Sequence, residues 1–310
     1  MASAVAFALS AGIAAAEPAK VMIPANPGGG WDGAGRQTMA AFAQSKVFSD
    51  GASFTNKGGA AGTIGLAQFI NASKGDPNAL MVGGMVMIGG IHLTNSPVNL
   101  TMVTPVARLT SEYEVVVVPA NSPIKTMADL VKLFKADPGK VSWGGGSAGG
   151  TDHILIGLIA KATGADSTKI NYVPFKGGGV AVAAIVGGHV TAGVSGLGEF
   201  SEQIKGGRLR ALAISSTHRE EGIPTLKEQG IDVELGNWRG VFAAPGITTA
   251  QRDALVKLVQ SATNTPAWKA TLEKLGWTGV FLGGDQYKTF LEEDTQRIAA
   301  IIDSLGIKKK

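Results

Sequence analysis

The chain has no cysteine, and only 6% of its 310 residues are aromatic and 17% charged. The first absence removes disulfides, thiolate nucleophiles and zinc–thiolate centres, and by itself says nothing about compartment. With few aromatics and no basic stripe there is no stacking surface for bases, so nucleic acid is not an expected partner. The histidines, at 92, 153, 189 and 218, lie far apart and form no H-E-x-x-H or i,i+4 pair. No metal and no cofactor is therefore expected. Long hydrophobic runs are missing too. No segment beyond the N-terminus reaches the ~20 uninterrupted apolar residues of a transmembrane helix.

What is present describes a folded α/β protein. Hydrophobic residues make up 45% of the chain, and 310 residues suffice for two lobes with separate cores. The net charge of +4 partly reflects the tail Lys308–Lys310; it is compatible with anionic ligands without demonstrating them. At the N-terminus, "MASAVAFALSAGIAAAEPAK" has a short apolar stretch, Ala4–Ala16, ending in an A-x-A pattern before Glu17-Pro18. That pattern predicts export with cleavage of residues 1–16, although the usual Lys/Arg of the leading segment is missing. Glycine is abundant, 44 residues, about twice the usual ~7%.

Apolar runs and turn signals alternate along the chain. Strands are predicted at 20–23, 52–55, 79–82, 103–108, 114–119, 140–143, 169–173, 189–194, 209–214 and 240–243. Continuous runs such as Val115–Val118 and Ala211–Ile214 fit parallel strands covered on both faces. Helices lie between. "TMADLVKLFKADPG" carries the capping pair Thr126/Asp129, with Leu130, Leu133 and Phe134 on one side; "TTAQRDALVKLVQ" repeats the device with Thr248/Gln251. A last helix, about 285–305, places Tyr287, Phe290, Leu291, Ile298, Ile301, Ile302 and Leu305 at helical spacing. The expected fold is α/β, two doubly wound lobes joined by a two-strand hinge. Crossings at 115–121 and 237–245 would divide the chain into lobe one, 17–117 plus 242–310, and lobe two, 118–241.

Four strand-to-helix turns are stripped of side chains: "PANPGGGWDGAGR", "NKGGAAGTIGLAQF", "GGGSAGGTDHI" and "VPFKGGG". Open α/β sheets bind ligands at such turns, where free N–H groups at helix starts favour an anion. The first and third turns fit G-x-G-x-x-G, but the strands that follow end at Thr55-Asn56-Lys57 and Tyr172-Val173-Pro174. Neither end offers the acidic residue that a dinucleotide's ribose requires. Gly145–Gly149 also matches G-x-S-x-G, which makes an exported serine hydrolase using Ser147 the alternative. Against it, three glycines separate Trp143 from the serine, no H-G-G-G segment precedes it, and no histidine suggests itself as base.

Binding without catalysis remains. Thr63, Ser147, Thr151 and Ser195 offer short hydroxyl donors, Lys176 a cation, and Trp31 either an apolar wall or a cap on its own lobe. Asp32 fits an anion site badly and is expected to accept N–H bonds from its own loop. His153 reads as an exposed or ligand-adjacent side chain.

The four turns, followed in order by "GGHVTAG", "GGRLRALAISSTHRE", "GIPTLKEQG" and "WRGVFAAPGITTAQRD", resemble the extracytoplasmic solute-binding proteins of tripartite tricarboxylate transporters, the Bug family, over essentially all of residues 17–305. Pro24-Ala25-Asn26-Pro27-Gly28 departs from the Pro-Phe or Pro-Pro-Gly-Gly often found there. The resemblance implies a non-enzymatic, monomeric periplasmic protein of Venus-flytrap fold that captures a small carboxylate, a di- or tricarboxylate such as citrate, and delivers it to membrane permease subunits. It also implies ligand contacts at Gly29, Gly30, Trp31 and Asp32, at Ser147, Ala148, Gly149 and Thr151, and nearby at Ala61, Gly62, Thr63, Lys176 and Gly177.

Overall fold

A computed structural model describes residues 18–44, 51–175 and 178–307. The expected export segment, Lys176 and Gly177 lie outside the described residues. Ten strands form one curled, mixed sheet. Its order is β2 (Ala52–Asn56), β1 (Ala19–Ile23), β3 (Ala79–Gly84), β9 (Gly236–Ala243), β4 (Thr104–Pro119), β7 (Ala192–Gly196), β5 (Ser142–Gly145) and β6 (Asn171–Pro174). Two further strands, β8 (Leu209–Ile214) and β10 (Thr278–Gly283), also pair with β4.

One strand therefore serves both lobes. The first part of β4, Thr104 to Tyr113, pairs antiparallel with β9 and β10; the second, Glu114 to Pro119, pairs with β7 and β8. Two predicted strands, 103–108 and 114–119, are thus one. The stretch 109–113 was left between them, yet it continues the ladder, and its one buried acid, Glu112, finds Arg239 and Trp277 as partners inside the protein. Val115–Val118 and Ala211–Ile214 were expected in parallel strands, but both lie in antiparallel ladders. β10 was not expected from the sequence. It is an edge strand, half-exposed and interrupted by a register shift, with no alternation to announce it.

The valines of β4 show why each lobe needs helices on both sides of its sheet. Successive side chains of a strand point to opposite faces. Val116 and Val118 join the larger core, beneath α4 (Met127–Ala136) and α5 (Thr151–Thr163). Val115 and Val117 join a smaller core with Ala181, Ile185, Leu197 and Phe200, beneath α6 (Gly178–Val186) and α7 (Leu197–Lys205).

The capping boxes at Thr126/Asp129 and at Thr248/Gln251 both form, starting α4 and α8 (Thr249–Thr263). Leu130 and Phe134 are buried in α4, but Leu133 is 49% exposed rather than inward. At 3.6 residues per turn it sits roughly 100° from the stripe set by Met127, Leu130 and Phe134.

The first lobe also carries α1 (Gly30–Gln44), α2 (Thr63–Ala72), α3 (Met85–Thr94), α9 (Pro266–Leu275) and α10 (Gly284–Leu305). The last helix reaches across to the second lobe. Its Leu305 side chain lies against Gly157 of α5, and the Leu305 carbonyl accepts a 2.8 Å hydrogen bond from Ser167.

Candidate functional site

The site is built where glycine-rich turns leave the strands and meet between the lobes. After β1 the chain turns at Gly28, whose φ of +83° favours glycine, and enters α1 at Gly30. Asp32 holds this turn from behind. It accepts the Gly28 N–H at 3.0 Å, Asn56 Nδ2 at 2.9 Å and Arg36 Nε at 2.9 Å. Burial alone would raise the Asp32 pKa, but these three donors outweigh it and hold the group below its ordinary value. Trp31 is buried in the first lobe's core, where it lies against Gly62.

The turn after β2 carries two alanines in the left-handed region, Ala60 (φ 46°) and Ala61 (φ 52°), followed by Gly62 (φ 92°). Such backbone costs on the order of 1–2 kcal/mol per non-glycine residue and persists only where the surroundings hold it. Ala61 is held against Gly90 of α3, and the Thr63 hydroxyl donates to the Ala60 carbonyl at 2.9 Å.

Opposite lies the second lobe's turn after β5. It meets α3 at close range: a Cβ on Gly89 would stand 1.9 Å from the Gly149 carbonyl oxygen, and one on Gly150 would stand 3.1 Å from Val86. The Gly149 N–H donates to His153 Nδ1 at 3.2 Å, and the His153 ring stacks on Tyr172 with centroids 4.3 Å apart. Of the two expectations for His153, exposed or ligand-adjacent, exposure fails: it is buried, and burial lowers its pKa to about 4. Occupied in this way, it is no base for Ser147, and among the described residues no hydrogen bond ties Ser147 to a histidine. Thr151 is fully buried with an unpartnered hydroxyl.

At the junction of the lobes four carboxyl groups gather, three of them drawn to one cation. Arg239, on β9, ion-pairs with Glu112 of β4, and both are buried. Glu112 also accepts Trp277 Nε1 at 3.1 Å, and the guanidinium lies 5.6 Å from the Trp277 ring centroid. Burial opposes the charge on Arg239, but Glu112, Glu199 and Glu114 more than restore it. Nε and Nη1 of this guanidinium have no hydrogen-bond partner, although the residue is only 5% exposed.

Glu199, in the first turn of α7, takes a 2.5 Å hydrogen bond from the Ser195 hydroxyl, and its other oxygen approaches the Gly30 backbone across the gap. A Cβ on Gly30 would meet Glu199 Oε1 at 3.0 Å and Arg239 Nη2 at 2.8 Å, so the helix start is bare because these groups approach it. Glu114 and Asp152 lie deeper. Burial and the neighbouring Asp152 and Glu112 push Glu114 well above the usual carboxylate range. Burial and Glu199 take Asp152 to about 7 against the Gly146 N–H bond.

Beside this cluster a cleft of about 650 Å³ runs between Gly28 of the first lobe and Val182, Ala183, Val186, Glu199, Gln203 and Arg208 of the second. The structure thus joins Gly30 to Ser195 through Glu199, and Trp31 to Gly62. It sets Gly149 on α3. The sequence reading named none of Arg239, Glu112, Glu114 and Glu199 as a functional residue. The available signal was an arginine inside the apolar run Trp238–Ala244 and two acids entering a run of four valines. Ions buried in strands require each other.

The family model of the tripartite tricarboxylate transporter family receptor, TctC, matches residues 37–307. The chain belongs to this family. TctC receptors are periplasmic solute-binding proteins, so this one binds a solute and is not an enzyme. Protein BugT of Bordetella pertussis is 30% identical over 319 residues, covering 98% of this chain and 96% of BugT. A protein of Cupriavidus necator described by its position in the gbd 5′ region is 30% identical over 196 residues, 62% of this chain and 59% of that relative. Two solved structures share the fold. MatC of Rhodopseudomonas palustris with bound malate has a TM-score of 0.78 and 22% identity, covering 92% of this chain and 98% of that one. Rpa4515 of R. palustris with adipate has a TM-score of 0.80 and 23% identity, covering 94% and 98%. No helix among the described residues of this TctC receptor is long and apolar enough to cross a membrane.

Proposed function

We propose that this TctC receptor is exported, captures a di- or tricarboxylate of citrate-like kind as a monomer, and hands it to the membrane permease subunits of a tripartite transporter. The observation that carries the proposal is the bared start of α1. Its Gly30 N–H faces the second lobe, Arg239 lies directly beneath it, and the cleft opens alongside. A helix N-terminus backed by a buried guanidinium favours a carboxylate by dipole, hydrogen bond and charge together. The malate and adipate held by the two R. palustris proteins support the same ligand class.

In this reading Gly29 and Gly30 grip one carboxylate, and Ala61–Thr63 and Ser147–Thr151 line the approaches. Lys176 adds a cation and Gly177 a bare backbone, both in the sequence VPFKGGG. Trp31 and Asp32 serve from behind, as cap and brace. Lobe one comprises residues 17–117 with 242–310, and lobe two 118–241; the change of pairing partner along β4, from β9 to β7 between Tyr113 and Glu114, supports a crossing near there. Contacts available only when both lobes reach the ligand drive closure.

The test is a thermal-shift screen followed by calorimetry with citrate, malate, succinate, adipate, glutamate and an aromatic acid. A di- or tricarboxylate should raise the melting temperature and saturate at one site per chain. Selective binding of glutamate or the aromatic acid would overturn the ligand class, and no binding at all would overturn carboxylate capture.

A further inference from the structure

Glu199 stands where a guest would stand. Its carboxylate touches both lobes at once: one side takes the Ser195 hydroxyl of its own lobe, and the other reaches the Gly30 N–H of the opposite one. We infer that Glu199 is a built-in stand-in for the ligand carboxylate, a latch between the lobes that an incoming carboxylate must displace. This rests on the carboxylate-binding reading above.

Three observations carry it. The first is chemical identity. A glutamate side chain ends in the group that the start of α1 is suited to hold, so side chain and ligand compete for one N–H. The second is charge. Arg239 already faces Glu112, and Glu199 is the second carboxylate drawn to the same guanidinium. A third anion at Gly30 would add repulsion to the two carboxylates already drawn to that guanidinium. Exchange of one carboxylate for another leaves the balance unchanged. The third is room to leave. Glu199 lines the 650 Å³ cleft together with Gln203 and Arg208 of the same helix and chain segment, so its side chain has open space to swing into. Nε and Nη1 of Arg239, buried and unpartnered, are further donors beside the contested position.

Glu199→Ala removes the latch, and Glu199→Gln keeps its shape without its charge. The first measurement needs no ligand: amide hydrogen exchange at Gly30 and Trp31. In Glu199→Ala exchange there should accelerate at least tenfold, with a larger radius of gyration by X-ray scattering. Glu199→Gln should fall between the variant and the parent. Unchanged exchange and radius would overturn the latch, whatever the protein binds. The second measurement is calorimetry with malate and with adipate. Without the internal competitor, affinity for whichever binds should rise at least tenfold. A loss of affinity would overturn the inference by making Glu199 a ligand contact. Failure of parent and variants to bind either compound would count against the carboxylate reading, and the exchange experiment would still decide the latch.

Discussion

Replacing Gly89 by alanine sets the geometry between the lobes against helix propensity. Gly89 lies inside α3, where alanine is favoured over glycine by about 0.5–1 kcal/mol, so the first lobe alone should be slightly strengthened. Across the gap the new Cβ would stand 1.9 Å from the Gly149 carbonyl oxygen and 3.4 Å from Ile154 Cδ1. Carbon–oxygen contacts under 3.0 Å do not survive in proteins, so the β5–α5 turn must retreat by about 1 Å. Overpacking of this kind costs about 1–3 kcal/mol. Charged to the closed arrangement alone, that is a loss of affinity of roughly 5- to 150-fold. The assay is calorimetry with the carboxylate that the parent binds, alongside thermal unfolding. Binding should weaken within that range while far-ultraviolet circular dichroism stays the same. Affinity within twofold of the parent would show that the lobes do not meet at Gly89 when they hold a ligand.

Three other outcomes are expected. Arg239→Gln leaves Glu112 buried without its cation and should cost about 3–5 kcal/mol in urea unfolding; a cost under 1 kcal/mol would remove the ion pair as a structural element. Gly62→Ala forces alanine to φ +92° and puts a Cβ 2.6 Å from Trp31 Cζ3, so the melting temperature should drop by several degrees, whereas an unchanged value would mean that Trp31 does not cap this turn. Stability should fall between pH 6.5 and 8: Asp152, raised from 3.8 to about 7, holds a proton that the unfolded chain has released, and Glu114 acts in the same sense. His153, lowered from 6.5 to about 4, has the opposite slope, but only below 6.5. Asp152→Asn should flatten the fall, and a parent melting temperature that stays level or rises from pH 6.5 to 8 would contradict the assignment.

Much of the architecture was legible because local signals agreed with it. Thr126 and Asp129 announce the start of α4, and the apolar repeat Tyr287, Leu291, Ile298, Ile302, Leu305 is the buried stripe of α10. The bare turns were equally visible, since runs of glycine have few other uses between a strand and a helix. What stayed hidden depends on pairing distant in the chain. Ser111–Glu114 is polar, and nothing local says that Arg239, 127 residues beyond Glu112, will neutralise it inside the sheet. The same pairing concealed the unity of β4. Locally Glu199 is an ordinary acid in the first turn of an amphipathic helix, and only the approach of the other lobe gives it a second role.

The long C-terminal helix has a mechanical consequence. Its early turns rest on β4 and β10, while near its end Leu305 packs into Gly157 and Asp303 meets His92 of α3 at 2.8 Å. A rod tied at both ends cannot let the halves slide apart, so it acts as the spine of a book. Leu305 is the stitch that fastens the second cover to that spine, held against Gly157 by its side chain and to Ser167 by its carbonyl.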